Sequence, residues 1–207
     1  VHDAATAAEK VQYLIDRGVT SIGFDLGGSK ELTARDLNQL ISAIDLQQVS
    51  IHFTGINSAT FTELFLKFVE ELKIPGATIR GSVDFDPLGC FTLTGNYYRS
   101  EKDDLADLDR MLGVTTEFPQ LRVLSVNSRF FSDCGASAVQ ELAFGIAMIA
   151  DYLKELSGRN HQVKEIAGHM QWNLGTGPDY FMEIAKVRAA RMLFSALMKA
   201  HDAPADK

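Results

Sequence analysis

Asp25, His52, Asp84 and His169 are the residues with the most demanding chemistry open to them, should the fold bring them together. Imidazole and carboxylate suit zinc or manganese, so this set reads as a candidate metal-dependent barrel hydrolase. No HxH or HExxH spacing supports it, and the same side chains serve equally as polar groups satisfied by their neighbours. Two glycine-rich turns invite a phosphate test: Asp25-Leu26-Gly27-Gly28-Ser29-Lys30, and Gly175-Thr176-Gly177-Pro178 just before a helical segment. Free N–H groups at a helix start attract anions. Neither turn matches GxGxxG or GxxxxGK[ST], and glycine often serves only to turn the chain. There is no GxSxG, and neither Cys90 nor Cys134 has a sequence-evident base. Cys134 lies just before a helix, which would lower its pKa, although an inert thiol is the commoner case. Lys186, Arg188, Arg191 and Lys199 read as a solvated face of the last helix, and His2, His161 and His201 carry no signal.

The elements that must position these residues alternate strand with helix. After an opening helix at 4–17, strand-like runs fall at 21–26, 49–54, 78–85, 122–127 and 166–173. Leu37, Leu40, Ile41 and Ile44 mark one helix by their spacing, and Phe61, Leu64, Phe65, Phe68 and Leu72 mark the next. Both open with candidate capping boxes, Thr33…Asp36 and Thr60…Glu63. Further helices are expected at 103–112, 136–156 and 179–199. Repeated βα units imply parallel strands covered by helices, either a doubly wound sheet or a (β/α)8 barrel.

The doubly wound form needs strands that are apolar on both faces. These alternate instead: Ile22, Phe24 and Leu26 against Ser21, Gly23 and Asp25; Val49, Ile51 and Phe53 against Ser50, His52 and Thr54. The other three runs repeat the pattern. An antiparallel sheet with one solvated face would also alternate, but the intervening helices argue for crossovers. The expected fold is therefore α/β, part of a (β/α)8 TIM-type barrel of about five βα units. Its apolar strand faces lie under the helices, and its lumen is lined by Asp25, Ser50, His52, Thr54, Ser82, Asp84, Ser125, Asn127, His169, Gln171 and Asn173. Such a lumen is hydrated or admits a polar ligand, because unpaired buried polar groups are costly.

Composition bounds the rest. With 207 residues, 46% hydrophobic and 23% charged, the chain has material for one cored domain or part of a larger one. A net charge of −7 argues against a nucleic-acid partner, and no apolar run reaches the ~18 residues of a membrane span. Two cysteines without CxxC spacing point to a reduced, cytoplasmic setting. The chain opens on Val1 rather than Met, and five βα units fall short of a barrel's eight, so residues 1–207 read as a partial barrel.

Three segments resemble the methylmalonyl-CoA mutase family. Phe181-Met182-Glu183-Ile184-Ala185-Lys186-Val187-Arg188-Ala189-Ala190-Arg191-Met192-Leu193-Phe194 is similar to its F-x-E-I-A-K-x-R-A-A-R-x-L-W helix. Cys134-Gly135-Ala136-Ser137-Ala138-Val139-Gln140-Glu141-Leu142-Ala143 resembles its A-G-A-…-Q-E-L-A segment. Gly81-Ser82-Val83-Asp84-Phe85-Asp86-Pro87-Leu88-Gly89 looks like its third-strand region in the form typical of the small subunit. Asp25-Leu26 and the Met170–Gly177 stretch follow in order, so the likeness covers essentially the whole chain. It implies a barrel through whose polar lumen coenzyme A threads.

The resemblance also identifies departures. The family's substrate-facing Gln falls on Asp84, its substrate-binding Arg on Thr94, and its catalytic His on Phe130. Each change removes a donor or a positive charge, which implies a chain without mutase chemistry. The cobalt-ligand pattern D-x-H-x-x-G does not occur in these residues. The resemblance therefore implies the non-catalytic small subunit of a heterodimeric mutase interconverting methylmalonyl-CoA and succinyl-CoA. Its partner would be a catalytic large subunit. Adenosylcobalamin would be present in the holoenzyme only, and this segment would bind no metal and at most a vestigial CoA. An independent CoA-thioester-binding or mutase chain is the alternative reading.

Overall fold

Strict alternation of side chains decides the sheet. The structure, a computed structural model, describes residues 4–27, 33–42, 44–56, 58–201 and 203. His2 and the 28–30 part of the first glycine-rich turn lie outside the described residues. The chain divides into two compact units, residues 1–85 with 106–123, and residues 86–105 with 124–207.

In the first unit the described elements are α1 (Ala4–Ile15), β1 (Ser21–Asp25), α2 (Ala34–Ile41), β2 (Ser50–Thr54), α3 (Ala59–Glu71), a single 3-10 turn at Gly76–Thr78, β3 (Gly81–Val83) and β4 (Leu121–Arg122). Most of α5 (Glu101–Val114) belongs here as well. All strand pairs are parallel, and the spatial order β1-β2-β3-β4 is the chain order. A doubly wound sheet reverses direction at a switch point, whereas a barrel steps always to the next position. This sheet never reverses. The chain is thus α/β with parallel strands in the arrangement of part of a (β/α)8 barrel.

Register stacks the apolar positions into rows, Ile22–Ile51–Gly81 and Phe24–Phe53–Val83. Phe53 is 1% exposed and meets three rings, Phe24 at 5.6 Å, Phe61 at 4.8 Å and Phe65 at 5.2 Å between centroids. Helices α2 and α3 supply Leu37, Leu40, Ile41, Phe65 and Val69 to the same core. Gly81 is required in its row: at φ 153° a Cβ would lie 1.7 Å from the Ile51 carbonyl oxygen.

The second unit holds α4 (Pro87–Thr94), β5 (Leu124–Asn127), α6 (Arg129–Asp133), α7 (Ala138–Ser157), α8 (Val163–Gly168), β6 (Met170–Asn173) and α9 (Tyr180–Ala200). β5 and β6 pair in parallel, with Leu124 opposite Met170, Ser125 opposite Gln171, Val126 opposite Trp172 and Asn127 opposite Asn173. Helix α7 buries Met148, Ile149, Tyr152, Leu153 and Leu156. Its Gly145 lies against the Trp172 indole, where a Cβ would approach Nε1 to 2.5 Å.

Several expected boundaries move, each for a visible reason. The run at 122–127 breaks at Val123, with β4 pairing to β3 and β5 pairing to β6. The run at 166–173 starts as a helix: Ile166 is buried on α8, His169 caps its C-terminus, and only Met170–Asn173 is strand. The Thr33…Asp36 capping box forms in full. Thr60…Glu63 does not, because α3 starts at Ala59. Its N-terminus is capped through space, the Ala59 N–H donating to Asp107 Oδ2 at 3.0 Å, and Glu63 accepts from Arg110 instead. Short helices α4, α6 and α8 carry too few turns for a periodic signal.

Candidate functional site

In the first unit the polar strand positions also fall into rows. Ser21 lies opposite Ser50, Gly23 opposite His52, His52 opposite Ser82, Ser82 opposite Arg122, and Asp25 opposite Thr54. His52 Nδ1 and Ser82 Oγ share a hydrogen bond of 2.8 Å across the row. Burial lowers the His52 pKa, so the imidazole is held neutral as a partner for the hydroxyl. Ser82 is buried, Ser50 and His52 are half-buried, and Asp25 and Thr54 at the strand ends are exposed. Asp25 accepts the Gly27 N–H at 2.9 Å, which closes the turn after β1.

In the second unit the buried carboxylate of Asp86 is a hub that the alternation pattern does not reveal. It caps α4, with Pro87 at the first helical position, by accepting the Gly89 N–H at 2.9 Å on Oδ1. The same oxygen accepts the Tyr152 hydroxyl at 2.7 Å, and Oδ2 accepts the Asn127 N–H at 2.7 Å. Tyr152 OH in turn accepts the Leu88 N–H at 2.8 Å. Full burial, with Asp86 alongside, pushes the Tyr152 phenol well above its ordinary pKa, so it remains a donor. One aspartate thereby ties α4, β5 and α7 together. At the strand ends, Asn173 donates to Asn127 at 2.7 Å, and Trp172 Nε1 donates to Ser128 Oγ at 2.7 Å. Ser125, one pleat back, is fully buried, and its Oγ has no hydrogen-bond partner among the described residues.

The second glycine-rich turn is occupied by the protein itself. Gly175 N–H donates to Glu141 at 2.6 Å, and Gly177 N–H donates to Glu183 at 3.1 Å. These are the amides a phosphate would have needed. Lys186 is not on a solvated face but 4% exposed, 3.0 Å from Glu141, 2.8 Å from Glu183, and donating to the Gly175 carbonyl at 2.8 Å. Burial opposes its charge, yet the bonds to Glu183 and Glu141 prevail and raise its pKa; Lys186 and the Gly177 amide hold Glu183 below the usual carboxylate range. Ser137 and Gln140 form a complete capping box at the start of α7. The Gln-Glu-Leu-Ala and Glu-Ile-Ala-Lys segments therefore meet as structural partners, and a Glu–Lys pair at i, i+3 in the latter was the one local signal for it.

The three positions singled out by the resemblance fall as follows. Asp84 follows β3 in the first unit, where its N–H donates to the Phe53 carbonyl at 2.8 Å. Thr94, in the second, turns its hydroxyl back to the Cys90 carbonyl at 2.8 Å and the Asn96 carbonyl at 3.0 Å. Phe130 lines a cavity of about 110 Å³ together with Gly89, Thr92, Leu93, Asn127, Phe131, Cys134 and Met148. That lining holds no ionisable side chain except the Cys134 thiol. Among the described residues no three of His, Cys, Asp or Glu converge to hold a metal ion, and His169 belongs to a helix end rather than a strand row. No helix among them is long and apolar enough to cross a membrane.

Comparison with known sequences adds the family context. A sequence model of the family described as methylmalonyl-CoA mutase matches residues 25–207. The chain is 32% identical over 198 residues to the methylmalonyl-CoA mutase small subunit of Porphyromonas gingivalis, covering 95% of this chain and 31% of that protein. It is 30% identical over 204 residues to the small subunit from Streptomyces virginiae, covering 98% of this chain and 32% of that one. The large subunit of Streptomyces virginiae matches at 28% over 81% of this chain and 23% of its own length. The chain thus spans about a third of the small subunits it resembles.

Proposed function

We propose a non-catalytic role for this chain, which belongs to the methylmalonyl-CoA mutase family. In this reading residues 1–207 are a barrel portion of a small subunit. It supports a catalytic large subunit in isomerising methylmalonyl-CoA and succinyl-CoA in the cytoplasm. The observation that carries it is Phe130. The position that the resemblance gives to a catalytic imidazole is a phenyl ring in an apolar cavity, with Phe131, Leu93 and Met148 around it. A ring without a proton to exchange performs no general acid–base step. Thr94 points its hydroxyl into its own helix end, so it offers no cation to a substrate carboxylate.

Adenosylcobalamin, the cofactor implied by the family, does not fit the residues present. The Phe130 cavity of about 110 Å³ is far too small for a corrin, and its lining has no imidazole. The proposed holoenzyme carries the cofactor elsewhere. The decisive experiment purifies this chain with and without a large subunit and supplies methylmalonyl-CoA and adenosylcobalamin. Turnover should require the large subunit; turnover by this chain alone would end the reading.

Ser125 favours a second reading, in which the polar strand rows still accept a CoA thioester. A fully buried hydroxyl without a partner is costly unless a water or ligand satisfies it. Calorimetry with CoA would register binding in the range of the protein concentration if this holds, and no heat if the site is vestigial.

A further inference from the structure

Residues 174–178 leave the C-terminal end of β6 and enter α9 with little apolar anchorage. Gly175 is half-buried, Thr176, Gly177 and Pro178 are exposed, and no residue from 171 to 180 is fully buried. No backbone–backbone hydrogen bond of this turn is found outside the regular elements. What does hold it is ionic. Three of its backbone groups, Gly175 N–H, Gly175 C=O and Gly177 N–H, end on Glu141, Lys186 and Glu183 respectively. Glu141 comes from α7, and Lys186 and Glu183 from α9. The lysine bridges both carboxylates, so each leg depends on the same ammonium. Glu183, in the first turn of α9, is further favoured by the helix dipole.

We propose that Glu141, Lys186 and Glu183 form a latch that makes the 174–178 turn a discrete opening unit, a strap at the end of β6 that releases while α7 and α9 stay folded. Charge-assisted hydrogen bonds are the stronger kind, and in a segment with no fully buried side chain, packed at Gly175 against Ser132, they set the local opening equilibrium. Helices α7 and α9 have independent support, from Leu142, Ile149, Leu153, Ala190 and Met198 in the core. Release would free the residue after Asn173, whose carboxamide bonds Asn127. The strap therefore borders the polar end of the β5–β6 pair. This inference does not depend on whether the chain is catalytic.

Amide exchange followed by NMR tests it, with Lys186→Met keeping the length of the buried stem. Gly175 and Gly177 should exchange on the order of 10–100-fold faster than in the parent, while Ile149, Leu153 and Val126 change by less than about twofold. Glu183→Gln weakens one leg of the same unit and should accelerate Gly175 and Gly177 together by several-fold; acceleration of Gly177 alone would mean separate local bonds and overturn the proposal. Equal acceleration of the turn and the helix amides would overturn the proposal, since the cluster would then be ordinary core. So would unchanged exchange at both glycines. If Lys186→Met does not fold, the Glu183→Gln pattern decides alone, and failure of both to fold also overturns it.

Discussion

The two units of this chain are held by different physics. In the first, the sheet β1-β2-β3-β4 is organised by apolar rows around Phe53, and the main polar tie across its strands is the His52–Ser82 bond. In the second, the smaller sheet is surrounded by buried polar hubs, Asp86 with Tyr152 and Asn127, and Lys186 with its two glutamates. An apolar row tolerates small shifts, because dispersion and burial are not directional. A polar hub does not, because each buried donor left without an acceptor carries the full cost of desolvation. The segments that carry the family resemblance most specifically, Gln140-Glu141 and Glu183…Lys186, fall on the polar hubs. Their side chains have partners that explain them without any reaction.

Four measurements would break or sharpen that contrast. The largest effect should come from Phe53→Ala, which removes the ring that three others pack on; the first unit should lose roughly 3–5 kcal/mol in urea denaturation followed by circular dichroism. Trp172 is the one tryptophan of the sequence, so its fluorescence follows the second unit, and a Trp172 transition that moves as far as the circular dichroism would deny the units any independence. Asp86→Ala should cost about 3 kcal/mol on the fluorescence transition, since it orphans Gly89 N–H, Asn127 N–H and the Tyr152 hydroxyl together. Gly145→Ala pushes a methyl into the indole and should cost about 1–3 kcal/mol with a shifted emission maximum. An unshifted spectrum would place the indole elsewhere.

The smallest effect is a pH dependence. His52 has its pKa lowered in the folded state by burial, so the unfolded chain takes up the proton first as pH falls. Stability of the first unit should therefore decline as pH drops below about 6.5, the ordinary histidine value, and level off below the folded pKa. His52→Asn should flatten that limb. An identical limb in the variant would assign the decline to other groups.

How much of this was legible beforehand depends on where each signal resides. Strands β1 and β2 were plain, because a period of two over five residues is a local property and burial obeys it. The Thr33…Asp36 box was equally plain, since both partners lie within one turn. Thr60…Glu63 misled because the true cap of α3 is Asp107, 48 residues away from Ala59. The 166–173 run misled because Ile166 and His169 fit a strand's alternation as well as they fit the short α8 that they occupy. Lys186 looked solvated because nothing adjacent in sequence says that Glu141 will bury it. Register places Ser21 with Ser50, His52 with Ser82, and Ser125 with Gln171 in rows, whereas His169 sits at the end of α8 and Asp84 follows β3. Their role as ligand contacts is the part that experiment must supply.

By itself, then, the sequence determined the parallel α/β class, strands β1 and β2, the longer helices and the family, because these rest on periodicity and on motifs whose residues are chain neighbours. Only the tertiary structure decided what the motif residues do. It turned the glycine-rich turn from a candidate anion site into a self-occupied one, and a surface lysine into a buried bridge. It also made Asp86, the cap of α4 that strand alternation does not reveal, the hub of its unit. The reason is physical: periodicity is set by backbone geometry within a few residues, whereas a buried charge is tolerated only where distant segments bring it partners.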